Sequence, residues 1–506
     1  MTTDTEVLQP SPTTLPPRRA GPPQSSYRQT FYDALALTLL ILVTRLPFRT
    51  SYLFNWDAAN FALGIRHFDV TLHQPHPPGY PYFVGLGALL SAATRDANAA
   101  LVLESILLEI LAVVSIYLLG ARQFSTKAGL VAGLLLAGSV TFWSYGEVAL
   151  GYPALAAFST LVAYYAYQCI VEGKDRLLPC AAAYALGSGF RPDLALFLFS
   201  LLLACCYRRP AKKVVLTLAV ALGGILLWLI PVAWLSGGPG AYWDVFSAYM
   251  GTDVLERYAP IARGLDGLAV NVRDTGQYLW YALYAEAALV LCGALLLLWR
   301  LPKDAERVKY LFLLGWMAPM ALFYLLVHIG DPGYVFSLLP ALLLLGVGGW
   351  QRALAGGSEQ QRVLAASGLA LVLLVNLLVF FLHQRPLTLW GLRANDMTVG
   401  AKLEYIAGYQ PDEVLLVSYD SYKQLHYYLP QYTNSVWLNT STPQRQVFPV
   451  PPSVRWAVLV DPSVFLLAQN LRAQAEFLPG ETWAALLPMQ RGQSLVYEGR
   501  RLTVTP

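Results

Sequence analysis

A chain of 506 residues in which 56% are hydrophobic and only 13% charged cannot clothe itself in water, since a soluble globule carries about 25% charged residues. Lipid must supply most of its solvent, which excludes a cytosolic enzyme and a disordered protein. A formal net charge of +4 over this length excludes a nucleic-acid binder as well.

Residues 1–28 hold six prolines and the pair Arg18 and Arg19, which predicts a disordered cytoplasmic tail without a cleavable signal peptide. Spanning stretches then recur at 31–47, 97–119, 128–144, 152–171, 177–190, 194–207, 214–235, 277–300, 310–328, 334–350 and 363–382. Lys and Arg fill alternate connections, among them Arg122 with Lys127, Arg208 to Lys213, and Arg300 to Lys309. Cations are retained on the cytoplasmic side, so these connections predict a cytoplasmic N-terminus. Tyr80 to Ala93 is apolar but too short for a ~30 Å hydrocarbon core, and is expected as a juxtamembrane or re-entrant helix on the outer face. The equally short 177–190 and 194–207 are expected as two helices meeting at Arg191, Pro192 and Asp193, where the proline breaks the run. All five cysteines lie in or beside apolar runs, which reads as buried small hydrophobes rather than a disulfide framework.

An odd number of spans leaves the C-terminus outside. The runs VLLVS (414–418) and WAVLVD (456–461), with a terminal hairpin over 494–504, predict a small α/β domain there. The expected fold is thus an all-α polytopic membrane protein of about eleven transmembrane helices with a C-terminal extracytoplasmic α/β domain. Its parts are a tail over 1–28, a membrane domain over 29–385 with its first outer loop at 48–96, and an outer domain over 386–506.

That first outer loop reads FNWDAANFALGIRHFDVTLHQPHPPGYP from Phe54 to Pro81 and contains three of the six histidines, His67, His73 and His76. Asp57 follows Trp56, an aromatic suited to the headgroup level. Further ionisable residues cluster on the same face: Arg45, Glu147 in TFWSYGEVALGYP (141–153), Arg191 with Asp193, and His328 with Asp331 in HIGDPGY (328–334). Such residues at membrane depth mark function, and independent helix-end charges would scatter over both faces. Glu104, Glu109 and Glu286 lie deeper and read as interhelical hydrogen bonders. A divalent metal is left open: the loop lacks Asp-x-Asp, yet Asp57 with Glu147 or the histidines offers oxygen and nitrogen ligands.

The HPPGYP run (76–81), some twenty residues after Trp56-Asp57, resembles the GT-C type integral-membrane glycosyltransferases. Within them it is similar to the protein O-mannosyltransferase relatives that carry an HPPGYP loop followed by an FW…E-V-Y motif. Phe142, Trp143, Glu147 and Val148 match that second motif, with Leu150 or Tyr152 near its Tyr. The resemblance implies Asp57 as the catalytic aspartate, and Arg45, His73, His76 and Arg191 as binders of the donor phosphate. Trp56, Tyr80, Glu147, Tyr152, His328 and Asp331 are then expected to line the site. This chain has Asp57-Ala58 where the family has Asp-Glu, and the arginine of the family's second span has no match except through Arg95 or Arg191.

The expected function is a glycosyltransferase of the cell inner membrane. It moves mannose or another hexose from a polyprenyl-phosphate-linked donor to a protein, glycan or lipid acceptor hydroxyl, with membrane lipids as further partners and no nucleic acid. A base must take the acceptor proton and cations must hold the departing phosphate, in an inverting displacement. The alternatives are a secondary transporter or lipid flippase, which would show internal repeats that are not seen here, and a membrane scaffold whose outer domain binds a partner.

Overall fold

The computed structural model describes residues 27–299, 302–439, 444–471, 473–499 and 501–506. All but the last two residues of the expected tail lie outside them. The first half of the chain forms α1 (Tyr27–Arg45), α2 (Trp56–Arg66), α3 (Pro81–Thr94), α4 (Ala97–Gln123), α5 (Thr126–Gly138), α6 (Val140–Tyr145), α7 (Pro153–Ile170), α8 (Leu177–Phe190), α9 (Asp193–Cys206) and α10 (Ala211–Leu235). Then come α11 (Pro239–Ala248), a π-helical stretch (Tyr249–Glu256), α12 (Pro260–Leu283), α13 (Glu286–Trp299), α14 (Asp304–Leu326), α15 (Leu339–Ala353), α16 (Glu359–Leu382) and α17 (Leu389–Ala407).

Local chemistry sets these boundaries. Asn55, Asp96 and Ser125 accept from backbone N–H groups of the first turns of α2, α4 and α5, satisfying donors that a helix start leaves unpaired. Ser358 and Gln361 form a reciprocal capping box at α16. Proline occupies the first turn of α3, α7 and α12, where its missing N–H costs nothing.

α1, α4, α10, α14 and α16 have the length and apolarity to cross a bilayer, and α12 with α13 forms a bent sixth candidate. α3, α5, α8 and α9 are shorter apolar helices, with α8 and α9 broken at Arg191-Pro192 as the sequence predicts. Length and apolarity therefore single out fewer crossings than the eleven expected. Two stretches also differ from expectation. The run 277–300 is not one helix, because the chain turns by 106° between α12 and α13. Tyr284 takes a left-handed backbone there, and the Asn376 side chain accepts from the Ala285 N–H and donates to the Leu283 carbonyl. The run 128–144 divides at Ser139, whose extended backbone separates α5 from α6 and whose hydroxyl donates to the Ala282 carbonyl.

α4 is the hub, packed against α1, α3, α5 and α7. Its approach to α5 is so close that a Cβ on Gly129 would lie 2.3 Å from the Tyr117 carbonyl oxygen. Gly293 on α13 meets Gly346 and Gly349 on α15 in the same way, the small-residue contact by which membrane helices pack without a hydrophobic drive. Outward faces of α10, α13 and α16 carry exposed leucines such as Leu227, Leu298 and Leu371. Such faces need lipid, as in a multi-pass membrane protein.

The C-terminal region is a small α/β unit. β1 (Val414–Ser418), α18 (Tyr422–Tyr428), β2 (Ser435–Trp437), β3 (Gln446–Pro449), β4 (Trp456–Leu459), α19 (Pro462–Leu467), β5 (Gln474–Leu478), β6 (Thr482–Pro488), β7 (Ser494–Tyr497) and β8 (Leu502–Thr505) build two sheets. One has the order β2-β1-β4-β6-β5, with β1 parallel to β2 and β4; the other is the antiparallel β3-β7-β8, containing the expected hairpin. A buried pair of Lys402 and Asp461, 2.8 Å apart, ties α17 to this sheet, and Asp461 also accepts from Ser421 and the Tyr419 N–H. The unit is seated on the first loop. Asp396 accepts from the N–H groups of Ser51 and Tyr52, Tyr428 accepts from that of Leu53, and Gln424 donates to the Leu53 carbonyl.

Candidate active site

Asp57 lies in the first turn of α2, where a helix N-terminus favours a carboxylate, and its side chain is 34% exposed. The chain leaving α2 makes a short turn at Val70–Leu72, and a bridge between Asp69 and Gln74 closes it. Through Pro75, Pro77 and Pro78 the backbone then runs irregularly to Tyr80, a left-handed residue that starts α3. The turn carries His76 back to Asp57, with Nδ1 3.5 Å from the carboxylate oxygen and Nε2 3.1 Å from the Tyr80 hydroxyl. The first separation leaves the buried Nδ1 without a hydrogen-bond partner; catalytic hydrogen bonds are often long before substrate binds. Burial holds the His76 pKa below the usual histidine value, against the pull of Asp57 and with help from Arg191. The ring is therefore neutral at pH 7, able to donate through one nitrogen and accept through the other.

Arg191 occupies the break between α8 and α9. It binds Asp193 in a fork, Nη2 to Oδ2 at 2.7 Å and Nε to Oδ1 at 3.2 Å. Its guanidinium lies 5.2 Å from the Tyr80 ring centre, 4.4 Å from that of Tyr152 and 5.2 Å from that of Tyr334. Three aromatic faces around one cation fix its position by cation–π attraction. Asp331 caps the Pro332–Ser337 turn through the Gly333 N–H and accepts from Tyr145 at 2.5 Å. Burial raises its pKa to about 6, the Tyr145 hydrogen bond opposing that shift and the Asp57 charge adding to it. His328 packs tilted against Tyr258 and edge-on to Tyr334, and burial lowers it to about 4 with the help of Arg257 and Arg191. His73 stands at the edge of the cluster, its ring 6.4 Å from that of Tyr249.

Beside this polar group opens a cavity of about 610 Å³. Asp193, His328, Tyr80 and Tyr334 form its polar end, and Trp228, Trp234 and Phe246 belong to its apolar wall between α9, α10 and α11. A site that is apolar along one side and polar at one end suits an amphiphile.

The structure thus gathers Asp57, His76, Tyr80, Tyr152, Arg191, His328 and Asp331, with His73 and Trp56 at the margin. Arg45 and Glu147 belong elsewhere. Arg45 is 1% exposed and binds Glu109 at 2.8 Å, the Ala137 carbonyl at 2.7 Å and Thr44 at 2.9 Å, over the Trp143 ring at 4.4 Å. Glu147 accepts from Trp143 Nε1 at 2.7 Å, and its backbone carbonyl holds Thr50. Burial pushes the Glu147 carboxyl well above the usual range, although Arg45 acts the other way. Tyr145, Tyr249 and Tyr334 were not foreseen; Tyr145 and Tyr334 stand inside the two motifs already singled out, TFWSYGE and HIGDPGY, whereas no local pattern marks Tyr249. Among the described residues no three His, Cys, Asp or Glu side chains are arranged to hold a metal ion.

This fold has counterparts among solved structures, and part of the chain matches a family model. Its fold is similar to that of ArnT from Cupriavidus metallidurans bound to undecaprenyl phosphate, with a TM-score of 0.55 at 12% identity over 91% of this chain and 98% of that one. The apo state of the same protein gives 0.50 with the same identity and coverage. The oligosaccharyltransferase of Archaeoglobus fulgidus in its apo form gives 0.49 at 12% identity, over 86% of this chain and 70% of that one. More particularly, residues 75–236, from the His-Pro-Pro loop past the end of α10, match the family model of dolichyl-phosphate-mannose-protein mannosyltransferase. No curated protein matches the whole chain or a part of it.

Proposed function

We propose that the protein transfers a hexose, mannose or another, from a polyprenyl-phosphate-linked donor to an acceptor hydroxyl on the outer face of the cell inner membrane. The N-terminus is then cytoplasmic and the C-terminal α/β unit extracytoplasmic. The observation that carries this reading is that the chain of contacts from Asp57 through His76 to Tyr80, with Arg191 beside the Tyr80 ring, reaches at Tyr80 the polar end of an apolar cavity. The isoprenoid chain is assigned to the apolar wall between α9, α10 and α11, and the likeness to a fold seen with undecaprenyl phosphate supports a lipid-linked donor in general.

In direct displacement the acceptor oxygen forms a bond to C1 of the donor sugar while its proton passes to Asp57. The bond from C1 to the phosphate oxygen breaks, and its electron pair leaves on polyprenyl phosphate. Charge builds on the phosphate through an oxocarbenium-like transition state. Arg191 gives two N–H groups to Asp193, and a guanidinium has five, so it keeps donors for that phosphate. His76 positions Asp57, and His73 stands toward the acceptor. Arg45 and Glu147 are assigned to support of the fold rather than to the donor, because each is engaged with protein groups away from the cavity.

Purified wild-type protein and Asp57→Asn in lipid nanodiscs, given a polyprenyl-phosphate-hexose, test the reading. Loss of a general base costs roughly 10²- to 10⁴-fold. Full transfer by Asp57→Asn would sink its role as base, and absence of transfer and donor hydrolysis by the wild type across lipid-linked hexoses would sink the activity itself.

A further inference from the structure

Next to Asp57, the first loop and the C-terminal unit together build an aromatic surface. The Trp56 ring centre lies 6.2 Å from that of Tyr422, in stacked orientation, and 5.5 Å from that of Trp437. Lys423 Nζ stands 5.8 Å from the Trp56 ring and donates to the Leu72 carbonyl. Trp437 is 41% exposed, at the end of edge strand β2. This surface is continuous with the reactive group. Asn60, with its amide oxygen toward Trp56, accepts from Trp56 Nε1 at 3.1 Å and donates to the His73 carbonyl at 2.8 Å. Trp56 itself is the residue next to Asp57. An aromatic trio contributed by segments some 370 residues apart has no packing need to remain half open, and the hydrophobic cores on either side are complete without it.

Resting on the reading of Asp57 as the base, we infer that Trp56, Tyr422 and Trp437 form the acceptor platform and that the acceptor is a saccharide. A pyranose offers a face of C–H bonds, weakly positive, which packs on the negative face of an aromatic ring. Its hydroxyls project from the edge, where His73 and Lys423 offer hydrogen-bonding groups. One sugar ring laid on Trp437 and Trp56 leaves its neighbour in the glycan free to turn a hydroxyl toward Asp57. A peptide acceptor would draw on extended main-chain pairing instead. The saccharide is the shared chemistry of a soluble glycan and a lipid-linked one, and the acceptor assay separates the two.

The test uses the full chain in nanodiscs with a polyprenyl-phosphate-hexose. Three readouts are taken: donor hydrolysis by water, transfer to a soluble oligosaccharide, a lipid-linked oligosaccharide or a Ser/Thr peptide, and the quench of tryptophan fluorescence on saccharide addition. Stacking on one aromatic ring is lost in Trp437→Ala, so the KM for saccharide is expected to rise about tenfold while donor hydrolysis and kcat stay within about twofold. Trp437→Phe should recover most of the affinity. Preference for one saccharide arm identifies the source of the glycan. Transfer to peptide in preference to either saccharide overturns the inference, as does a saccharide KM indifferent to Trp437→Ala. If donor hydrolysis is absent but saccharide still quenches in a Trp437-dependent way, the platform stands and the transfer reading fails. If hydrolysis is present without any such quench, the platform fails alone.

Discussion

Replacing Arg45 by methionine separates the two roles an intramembrane arginine can have. In the structure its guanidinium donates to Glu109, to the Ala137 carbonyl and to Thr44, and it covers the Trp143 ring. Both partners of the ion pair are buried, at 1% and 0% exposure. Arg45→Met keeps the length of the stem but strands the Glu109 carboxylate and the Ala137 carbonyl. Breaking a buried pair from one side costs about 3–5 kcal/mol, whereas removing both charges together is often neutral. Arg45→Met is therefore expected to lower thermal unfolding in nanodiscs strongly, and Arg45→Met/Glu109→Gln to regain most of it. The coupling between the sites is expected near 2–3 kcal/mol. Unfolding followed by tryptophan fluorescence, with donor KM measured on each folded variant, gives both numbers. A double variant as stable as wild type but with donor KM raised more than tenfold would refute the assignment, since Arg45 would then touch the phosphate.

Other outcomes follow from the same geometry. Arg191→Lys keeps the charge but loses the fork to Asp193 and the flat face shared by three tyrosines; donor KM should rise about tenfold or more, because lysine is not an isostere at a bidentate, stacked site. Asp331 has its pKa raised by burial from 3.8 to about 6. The folded chain holds that proton more tightly than the unfolded chain, so its contribution is present below pH 3.8 and is lost as pH rises through about 6. At 1.36 kcal/mol per unit the loss is roughly 3 kcal/mol, and Asp331→Asn should flatten the stability profile between pH 4 and 6 while leaving an acceptor for Tyr145. An unchanged profile would remove the basis of that account. Gly129→Ala places a Cβ 2.3 Å from the Tyr117 carbonyl oxygen, so α4 and α5 must part; a loss of at least 1–3 kcal/mol is expected, against almost none for Gly223→Ala, whose Cβ meets no atom within 4 Å.

Much of this architecture was legible in the chain. The helices α8 and α9 and their break at Arg191 follow from proline and length, and the hairpin of β7 and β8 follows from its turn residues. The loop from Trp56 to Pro81 announced itself by its density of Asp, His and Pro. A shared membrane face sets depth and says nothing about direction, so it did not disclose that Arg45 pairs with Glu109 and Glu147 with Trp143. Arg45 turns to Glu109, thirteen residues into α4. The bend at Tyr284 was hidden because hydropathy runs on across it, and the amide of Asn376 that satisfies the broken backbone lies 91 residues away. Tyr422, Lys423 and Trp437 carry no local signal for the same reason: their meaning arises only where the C-terminal unit sits on the first loop.

The most direct test is a structure of the full chain with polyprenyl phosphate bound in a lipid bilayer. The isoprenoid chain is expected along Trp228 and Phe246, with phosphate oxygens within hydrogen-bond reach of Arg191 and with Asp57 facing the phosphate across His76 and Tyr80. A phosphate held at Arg45, or a lipid seated outside the cavity between α9, α10 and α11, would contradict the account.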